Sequence, residues 1–398
     1  MIISIFSILM HCHCETCADA DKEESVYFMK RYIVIGAGIL GASTAYQLAK
    51  SGAEVVIADR KDRGQATDAA AGIVCPWLSQ RRNKAWYKLA KEGARFYPDL
   101  IESLKQDGET DTGYAQVGAI SLHSDSEKLI AMKERALKRK EDAPEMGDIT
   151  ILTPEQTRIL FPPLAEGIGS VHVSGAARVD GRALRDSLLR AAEKNGAVFI
   201  EGAASLNFKD KQVIGANVNG EALEGMVIVC AGAWANQLLE PLGVNFQVTF
   251  QKAQIVHLRL PGTSTKTWPV VMPPSDQYLL AFEDRLVAGA THENTEEYDS
   301  RITAGGLQEV LNKALLSAPG LEQASFLEAR TGFRPFTPGF LPVIGSLPGW
   351  EGILAANGLG ASGLTMGPYI GYQLSKLALG LETDIDLEQY DLNSALEA

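Results

Sequence analysis

The stretch Tyr32-Ile33-Val34-Ile35-Gly36-Ala37-Gly38-Ile39-Leu40-Gly41 decides the fold. An apolar, β-branched run breaks into G-x-G-x-x-G and passes into a helix of small residues, Ala42 to Lys50. Each glycine has its own mechanical task in such a strand-turn-helix unit. Gly36 permits the tight turn off the strand, Gly38 lets backbone come within reach of a pyrophosphate, and Gly41 lets helix and strand pack closely. The first helical turn, at Ile39 and Leu40, then offers free N–H groups to an anion.

Context turns this short motif into a dinucleotide site. Val55-Val56-Ile57-Ala58 reads as a second parallel strand, and it ends at Asp59, 18 residues beyond Gly41 and directly before Arg60. A carboxylate there stands where a ribose hydroxyl needs an acceptor. The motif alone does not say which dinucleotide is bound.

Composition sets the outer bounds. A chain of 398 residues exceeds one usual core, so two domains are expected, and 46% hydrophobic with 22% charged residues is the balance of a globular protein. A net charge of -12 argues against nucleic acid or an anionic membrane as partner. An anionic cofactor remains compatible, because the glycine turn holds phosphate with backbone N–H groups. Past the leader, no uninterrupted apolar run is long enough to span a bilayer.

Residues 1–28 do not match the remainder. Met1 to Met10 is apolar without a basic start, and it runs into His11-Cys12-His13-Cys14-Glu15-Thr16-Cys17. A weak secretory signal or a metal cluster would account for it. The reading favoured here is that Met29 starts the native protein, since Met29-Lys30-Arg31 leads straight into the first strand. Beyond the leader only Cys75 and Cys230 remain, which give neither a disulfide framework nor a zinc site, and the body of the chain reads as cytoplasmic.

Further along, Ala66 to Val74 is rich in alanine with Gly72, so a backbone or a flat ligand passes close to it. Residues 84–105 and 126–141 read as helices, with a strand at Ala119 to His123 between them. Thr153-Pro154 opens another helix. Val179-Asp180-Gly181-Arg182 caps a helix running to Asn195-Gly196, and a strand at Ala197 to Ile200 follows. A hairpin-like pair comes next, centred on Ala204 to Asn207 and Val213 to Val218. Met226 to Cys230 is a buried strand that stops at Ala231-Gly232-Ala233-Trp234, which suggests one nucleotide domain assembled from separate pieces. Residues 241–330 change to a mainly antiparallel pattern with a helix at Gly306 to Leu316. The chain returns through Arg330 to Pro335 and a strand at Gly352 to Ala356, then a second glycine-rich turn, Asn357 to Thr365, and a closing helix.

With these residues in view, the chain from Arg31 to about Leu381 resembles the D-amino acid oxidase family of FAD-dependent oxidoreductases, in particular its bacterial branch of glycine oxidases and D-amino acid dehydrogenases. Four motifs carry the resemblance: Ile33 to Gly41, Val229 to Trp234, Gly332-Phe333-Arg334-Pro335-Phe336-Thr337-Pro338, and Asn357-Gly358-Leu359-Gly360 with Gly363 and Thr365. It implies an α/β (overall α+β) fold. A Rossmann-type FAD-binding domain would comprise residues 29–100, 165–240 and 330–390, and a substrate domain 101–164 and 241–329, with 391–398 as a tail. It also implies non-covalent FAD, because relatives that tether flavin use a cysteine near the arginine-proline motif and none follows Cys230.

The implied cofactor contacts begin at the first glycine turn, with Asp59 and Arg60 at the adenosine ribose. Thr67, Ala71, Gly72 and Ile73 pass the flavin, and Ala204, Ala231, Gly232 and Trp234 contribute from the middle of the chain. Gly358, Gly360, Ala361, Ser362, Gly363, Leu364 and Thr365 face the flavin pyrimidine edge. Arg334 occupies the position that grips a substrate carboxylate, although an arginine there could also form an ordinary salt bridge. Tyr278 resembles a substrate-domain tyrosine, or else it is packing. Arg330 either assists Arg334 or pairs with an acid. His123, His172, His257 and His292 show no metal-ligand spacing and read as structural or surface residues, so no metal is expected.

The activity implied is oxidation of a C–N bond in a small amino acid, D-configured, glycine or N-alkylated, with oxygen or a quinone as electron acceptor. Amine oxidation on a modified tRNA or a thiamine precursor is the alternative within the same chemistry, and a flavin-binding partner without turnover is the alternative outside it. Oligomeric state is left open. The chain departs from its branch at Asn357 and Leu359, where histidine is common, and over Ala70 to Trp77, which ends Val74-Cys75-Pro76-Trp77. Both segments border the substrate.

Overall fold

The computed structural model describes residues 31–397. The leader, with its candidate start at Met29 and its cysteine-histidine run, lies outside the described residues.

Tyr32–Ile35 is buried along its whole length, as a parallel strand covered on both faces must be. It pairs in register with Val55–Asp59 on one side and Met226–Val229 on the other. These three form the centre of a six-stranded sheet completed by Val198–Glu201 at one edge and by Ile353–Asn357 then Val343–Ser346 at the other. All pairings are parallel except that of the last two strands. Val343–Ser346 was not read as a strand: it is short, follows a proline, and owes its pairing to Ile353–Asn357, which comes later in the chain.

Backbone bonds from Gly36 to Ala58 and from Cys230 to Ile35, each 2.8 Å, bring the strands to an end together. A crevice opens beyond their carboxyl ends, where ligands of such sheets bind. Helix α1 (Ile39–Lys50) leaves the first turn, followed by α2 (Lys84–Gln106), α3 (Ser126–Lys140), α4 (Pro154–Leu160), α5 (Gly181–Lys194), α6 (Ala235–Leu239), α7 (Ala304–Ser317) and α8 (Gly363–Ala378). Helices α1 and α8 pack closely because Gly371 has no side chain: a Cβ there would come within 2.7 Å of that of Ser43. The Ser43 hydroxyl also donates to the Pro368 carbonyl at 2.8 Å.

The hairpin-like pair extends to three antiparallel strands, 204–209, 212–218 and 221–224. A separate nine-stranded sheet forms the other half of the molecule. Its backbone is the long pair Thr249–Arg259 and Ser325–Phe336, antiparallel over their full length with a bulge at His257/Leu258. The hairpin Tyr278–Ala281 with Leu286–Gly289 lies beside it, and Val270–Met272, Ala119–His123, Gly169–Val173 and Ile149–Leu152 follow. Val270–Met272 pairs parallel with Ala119–His123, so the sheet is mixed. Gly169–Val173 and Ser325–Phe336 both run in this sheet, although the sequence division assigned 165–240 and 330–390 to the nucleotide unit. The chain therefore crosses between the halves inside those segments. The partners that hold Gly169–Val173, such as Ile120 for His172, lie far away in sequence.

Among the described residues no helix is long and apolar enough to cross a membrane, and no group of three His, Cys, Asp or Glu residues is placed to hold a metal ion.

Candidate active site

Each glycine-rich turn leads into a long helix whose N-cap residue supplies no side-chain cap. Helices α2, α3, α4, α5 and α7 are capped by Asn83, Asp125, Thr153, Asp180 and Thr303. The N-cap residues of α1 and α8, Gly38 and Ser362, supply no such bond. Both ends therefore offer N–H groups and a positive dipole end to an anionic ligand. At α1 the Ile39 amide donates to the Thr67 hydroxyl at 3.0 Å, tying the turn to the alanine-rich loop.

The geometry assigns the glycines as their spacing predicts. Gly36 has φ +101°, and a Cβ there would lie 2.4 Å from the Cys230 carbonyl oxygen. A Cβ on Gly41 would lie 1.8 Å from the Gly36 oxygen, whereas one on Gly38 would meet only the Thr67 hydroxyl at 3.4 Å. Gly38 is thus the open position of the three.

Two concavities lie on either side of this turn. The first is lined by Gly36, Asp59, Arg60, Ala204, Ala231 and Trp234, six of the residues assigned to the cofactor. Asp59 is buried and accepts from the Ala37 and Lys61 amides at 2.6 Å each and from Gln65 Nε2 at 2.8 Å. It thereby fixes the turn that it faces. Arg60 pairs with Asp62 at 2.6 Å, and Trp234 stacks on Tyr298 at 5.4 Å. Gln65, which also lines this end, has no sequence signal beyond its place in a polar loop.

The second, larger cavity is bounded by the loop Ala66 to Ile73 and by Gly360 to Thr365. Ile39, Thr67, Ala71, Gly72, Ile73, Gly360, Ala361, Ser362, Gly363, Leu364 and Thr365 all reach it. Gly72 has φ +93° and packs so tightly that a Cβ would sit 1.7 Å from the Val179 oxygen. The Thr365 hydroxyl donates to the Ile73 carbonyl at 2.8 Å, which locks the two walls together. Gly38, Leu40, Gly41, Gly232 and Gly358 line neither concavity. Leu40 and Gly41 pack the helix, the Gly232 carbonyl accepts from Asn357 Nδ2 at 2.8 Å, and Gly358 turns against Thr337.

The nine-stranded sheet completes the lining, and its Gly332 packs against Ala66 and Ala69 of the first wall. Arg334 and Gly332 share the face of Ser325–Phe336 that looks into the cavity, and Tyr278 enters from the neighbouring hairpin. The Arg334 guanidinium reaches the Thr291 carbonyl at 3.5 Å and has no carboxylate partner among the described residues. Its alternative role as a salt-bridge residue is therefore not met. Arg330 does pair, with Glu328 at 2.5 Å.

His292 and Asp276 also line this cavity, 3.5 Å apart, and Lys313 binds Asp276 at 3.1 Å. His292 is exposed, so its reading as a surface residue stands, and it borders the cavity as well. The signal lay in the strand register: Tyr278 pairs with Gly289, so the residues just after Gly289 return to the cavity beside Arg334. Burial, then the Arg334 charge, pushes the His292 imidazole below its ordinary value against the pull of Asp276. Burial opposes ionisation of Asp276, but Lys313 and His292 outweigh it and hold the carboxyl below the usual range. Burial raises the Tyr278 phenol, which Arg334 only partly offsets. At neutral pH the cavity thus holds a cationic guanidinium, a protonated phenol and a neutral imidazole.

Residues 31–377 match the family model described as DAO, FAD dependent oxidoreductase. The chain belongs to this family. The oxidoreductase YurR of Bacillus subtilis (strain 168) is 63% identical over 92% of this chain and 100% of its own length. The iminodiacetate oxidase IdaA from Chelativorans sp. BNC1 superposes with a TM-score of 0.88 at 44% identity, covering 91% of this chain and 98% of that one. Glycine oxidase from Geobacillus kaustophilus gives 0.81 at 26% identity over 91% and 98%.

The protein is thus an FAD-dependent oxidoreductase, and its residues fit the cofactor. Two uncapped helix ends, the open Gly38 and the two concavities suit an extended molecule with a central pyrophosphate. Cys75 lines the larger cavity, but burial pushes its thiol up to about 12, so it stays protonated.

Proposed function

We propose that the protein oxidises the C–N bond of a small amino acid, D-configured, glycine or N-alkylated, to an imino acid that water converts to an oxo acid and ammonia or an amine. The observation that carries this is Arg334, a guanidinium with no carboxylate partner among the described residues that lines the same cavity as the alanine-rich loop and the Gly360 to Thr365 turn. A planar guanidinium holds a carboxylate by two parallel bonds and so fixes both the position and the orientation of the α-carbon. FAD, when bound, supplies the hydride acceptor. The names of the similar glycine and iminodiacetate oxidases favour the same substrate class.

In this reading the C–H bond leaves as hydride while the nitrogen lone pair closes the C=N bond, so the amine must arrive unprotonated. Arg334 is a cation and Tyr278 a protonated phenol, so neither takes a proton from it; the Tyr278 hydroxyl orients the carboxylate. The alanine-rich loop keeps water from the reacting carbon. Electrons pass onward to oxygen or a quinone. The two buried free thiols, Cys75 and Cys230, favour a cytoplasmic setting.

Anaerobic mixing of purified holoprotein with glycine, sarcosine, iminodiacetate and both enantiomers of common amino acids tests the reading. Bleaching of the flavin absorbance by at least one is expected. Failure of every member refutes it, and peroxide release in air identifies oxygen as acceptor.

A further inference from the structure

A cleft beside the cavity gathers cations that nothing neutralises. Arg81 and Arg82 follow the turn Pro76–Leu78, Lys84 opens α2, and Arg135 and Arg139 reach the same cleft from α3. None of the five has a carboxylate partner among the described residues. The contrast with the same helices is direct: Lys91 pairs with Asp142 at 2.5 Å and Arg95 with Glu92 at 3.0 Å. In a chain of net charge -12, five adjacent unpaired cations are a local concentration of charge that repels itself until an anion enters.

The cleft is built against the active cavity. Ser79 lines both spaces. The Arg81 guanidinium lies 4.7 Å from the ring centre of Trp86, which lines the cavity. Arg139 donates to the Trp77 and Ser79 carbonyls at 2.5 and 2.7 Å, so α3 holds the intervening turn in place. The Tyr87 hydroxyl in the cleft wall has no hydrogen-bond partner. The cations therefore lie beside the cavity that Arg334 lines.

We propose that this cleft is a distal anion subsite, taking a second carboxylate of the substrate while Arg334 holds the first. The substrate is then an amino acid with two carboxylates, carried on the side chain or on the nitrogen. This rests on the reaction proposed above and narrows its substrate class. It also gives a role to the segment after Val74, where the chain departs from its branch.

The test compares matched pairs on the holoenzyme by anaerobic flavin reduction: sarcosine with iminodiacetate, alanine with aspartate, and norvaline with glutamate. The wild type is expected to favour the dianionic member in at least one pair. In R81Q/R82Q the dianion-to-monoanion ratio of kcat/KM should fall by about tenfold or more, the scale of one lost charge-assisted bond. Rising ionic strength should narrow the ratio in the wild type more than in the variant. Both arginines are exposed and unpaired, so the variant is expected to fold, and K138Q, an exposed cation of α3 outside the cleft, should keep the wild-type ratio. An unchanged ratio in R81Q/R82Q overturns the proposal, as does an equal loss on both members of each pair. If no amino acid reduces the flavin, the reaction itself is refuted. Calorimetric binding of succinate and acetate then decides the subsite alone: loss of the succinate preference in R81Q/R82Q supports it, and a retained preference overturns it.

Discussion

Arg334→Lys isolates the carboxylate clamp from the charge that goes with it. Both side chains are cations, but only the guanidinium presents two parallel N–H donors, so the substitution removes one of two charge-assisted bonds and the orientation they impose. A charge-assisted hydrogen bond is worth about 1.5–3 kcal/mol. At about 1.4 kcal/mol per factor of ten, kcat/KM should fall by roughly 10- to 150-fold. Arg334 sits on the nine-stranded sheet, makes no hydrogen bond to Gly360 to Thr365, and does not line the concavity at Asp59. FAD content and thermal stability should therefore stay at wild-type levels. Steady-state kinetics with the best substrate of the panel, together with the flavin spectrum of the purified variant, measure both. A kcat/KM within threefold of wild type would refute the clamp, and loss of FAD would show that Arg334 acts on the cofactor instead.

The other expectations rest on separate parts of the molecule. Gly41→Ala should abolish accumulation of folded holoprotein, because its methyl group would sit 1.8 Å from the Gly36 oxygen at the pivot of the sheet; soluble yield and FAD content measure this. His257 is buried, neither of its ring nitrogens has a hydrogen-bond partner, and burial pushes its pKa down to about 4 against the pull of Glu328 at 3.8 Å. The unfolded chain binds that proton from about pH 6.5 downward while the folded chain resists it to about pH 4, so stability falls as pH drops through this window, by roughly 3 kcal/mol in all. His257→Leu should flatten the fall in Tm between pH 7 and pH 5, and an unchanged slope would assign the acid sensitivity to other groups. Cys75 and Cys230 are both buried with thiols pushed up to about 12, so iodoacetamide at pH 8 should label neither in the native protein and both after denaturation. Rapid native labelling of Cys75 would mean that the alanine-rich loop opens.

How far the sequence could be read depended on whether each residue's partner is near it in the chain. The first glycine turn was legible because its constraints are local: Gly36, Gly38 and Gly41 answer to a strand, a turn and a helix within ten residues, and Asp59 completes the unit at the next strand. Arg334 was legible for a different reason, as part of a distinctive motif, and its unpaired state became visible only once the strand was paired. His292 and Asp276 were not legible, because each enters the cavity through a hairpin whose register sets Tyr278 against Gly289, and no periodicity in the sequence marks that register. Arg81 and Arg82 show the same limit at the surface. In sequence they are two charges in a polar loop, which normally means a solvated edge. Helix α3, more than 50 residues later, brings Arg135 and Arg139 against them without an acid. Long-range packing thus turns an ordinary loop into a concentration of charge beside the cavity. That is why substrate choice was the part of the function least accessible to sequence motifs, and why the matched-pair comparison at Arg81 and Arg82 bears on it directly.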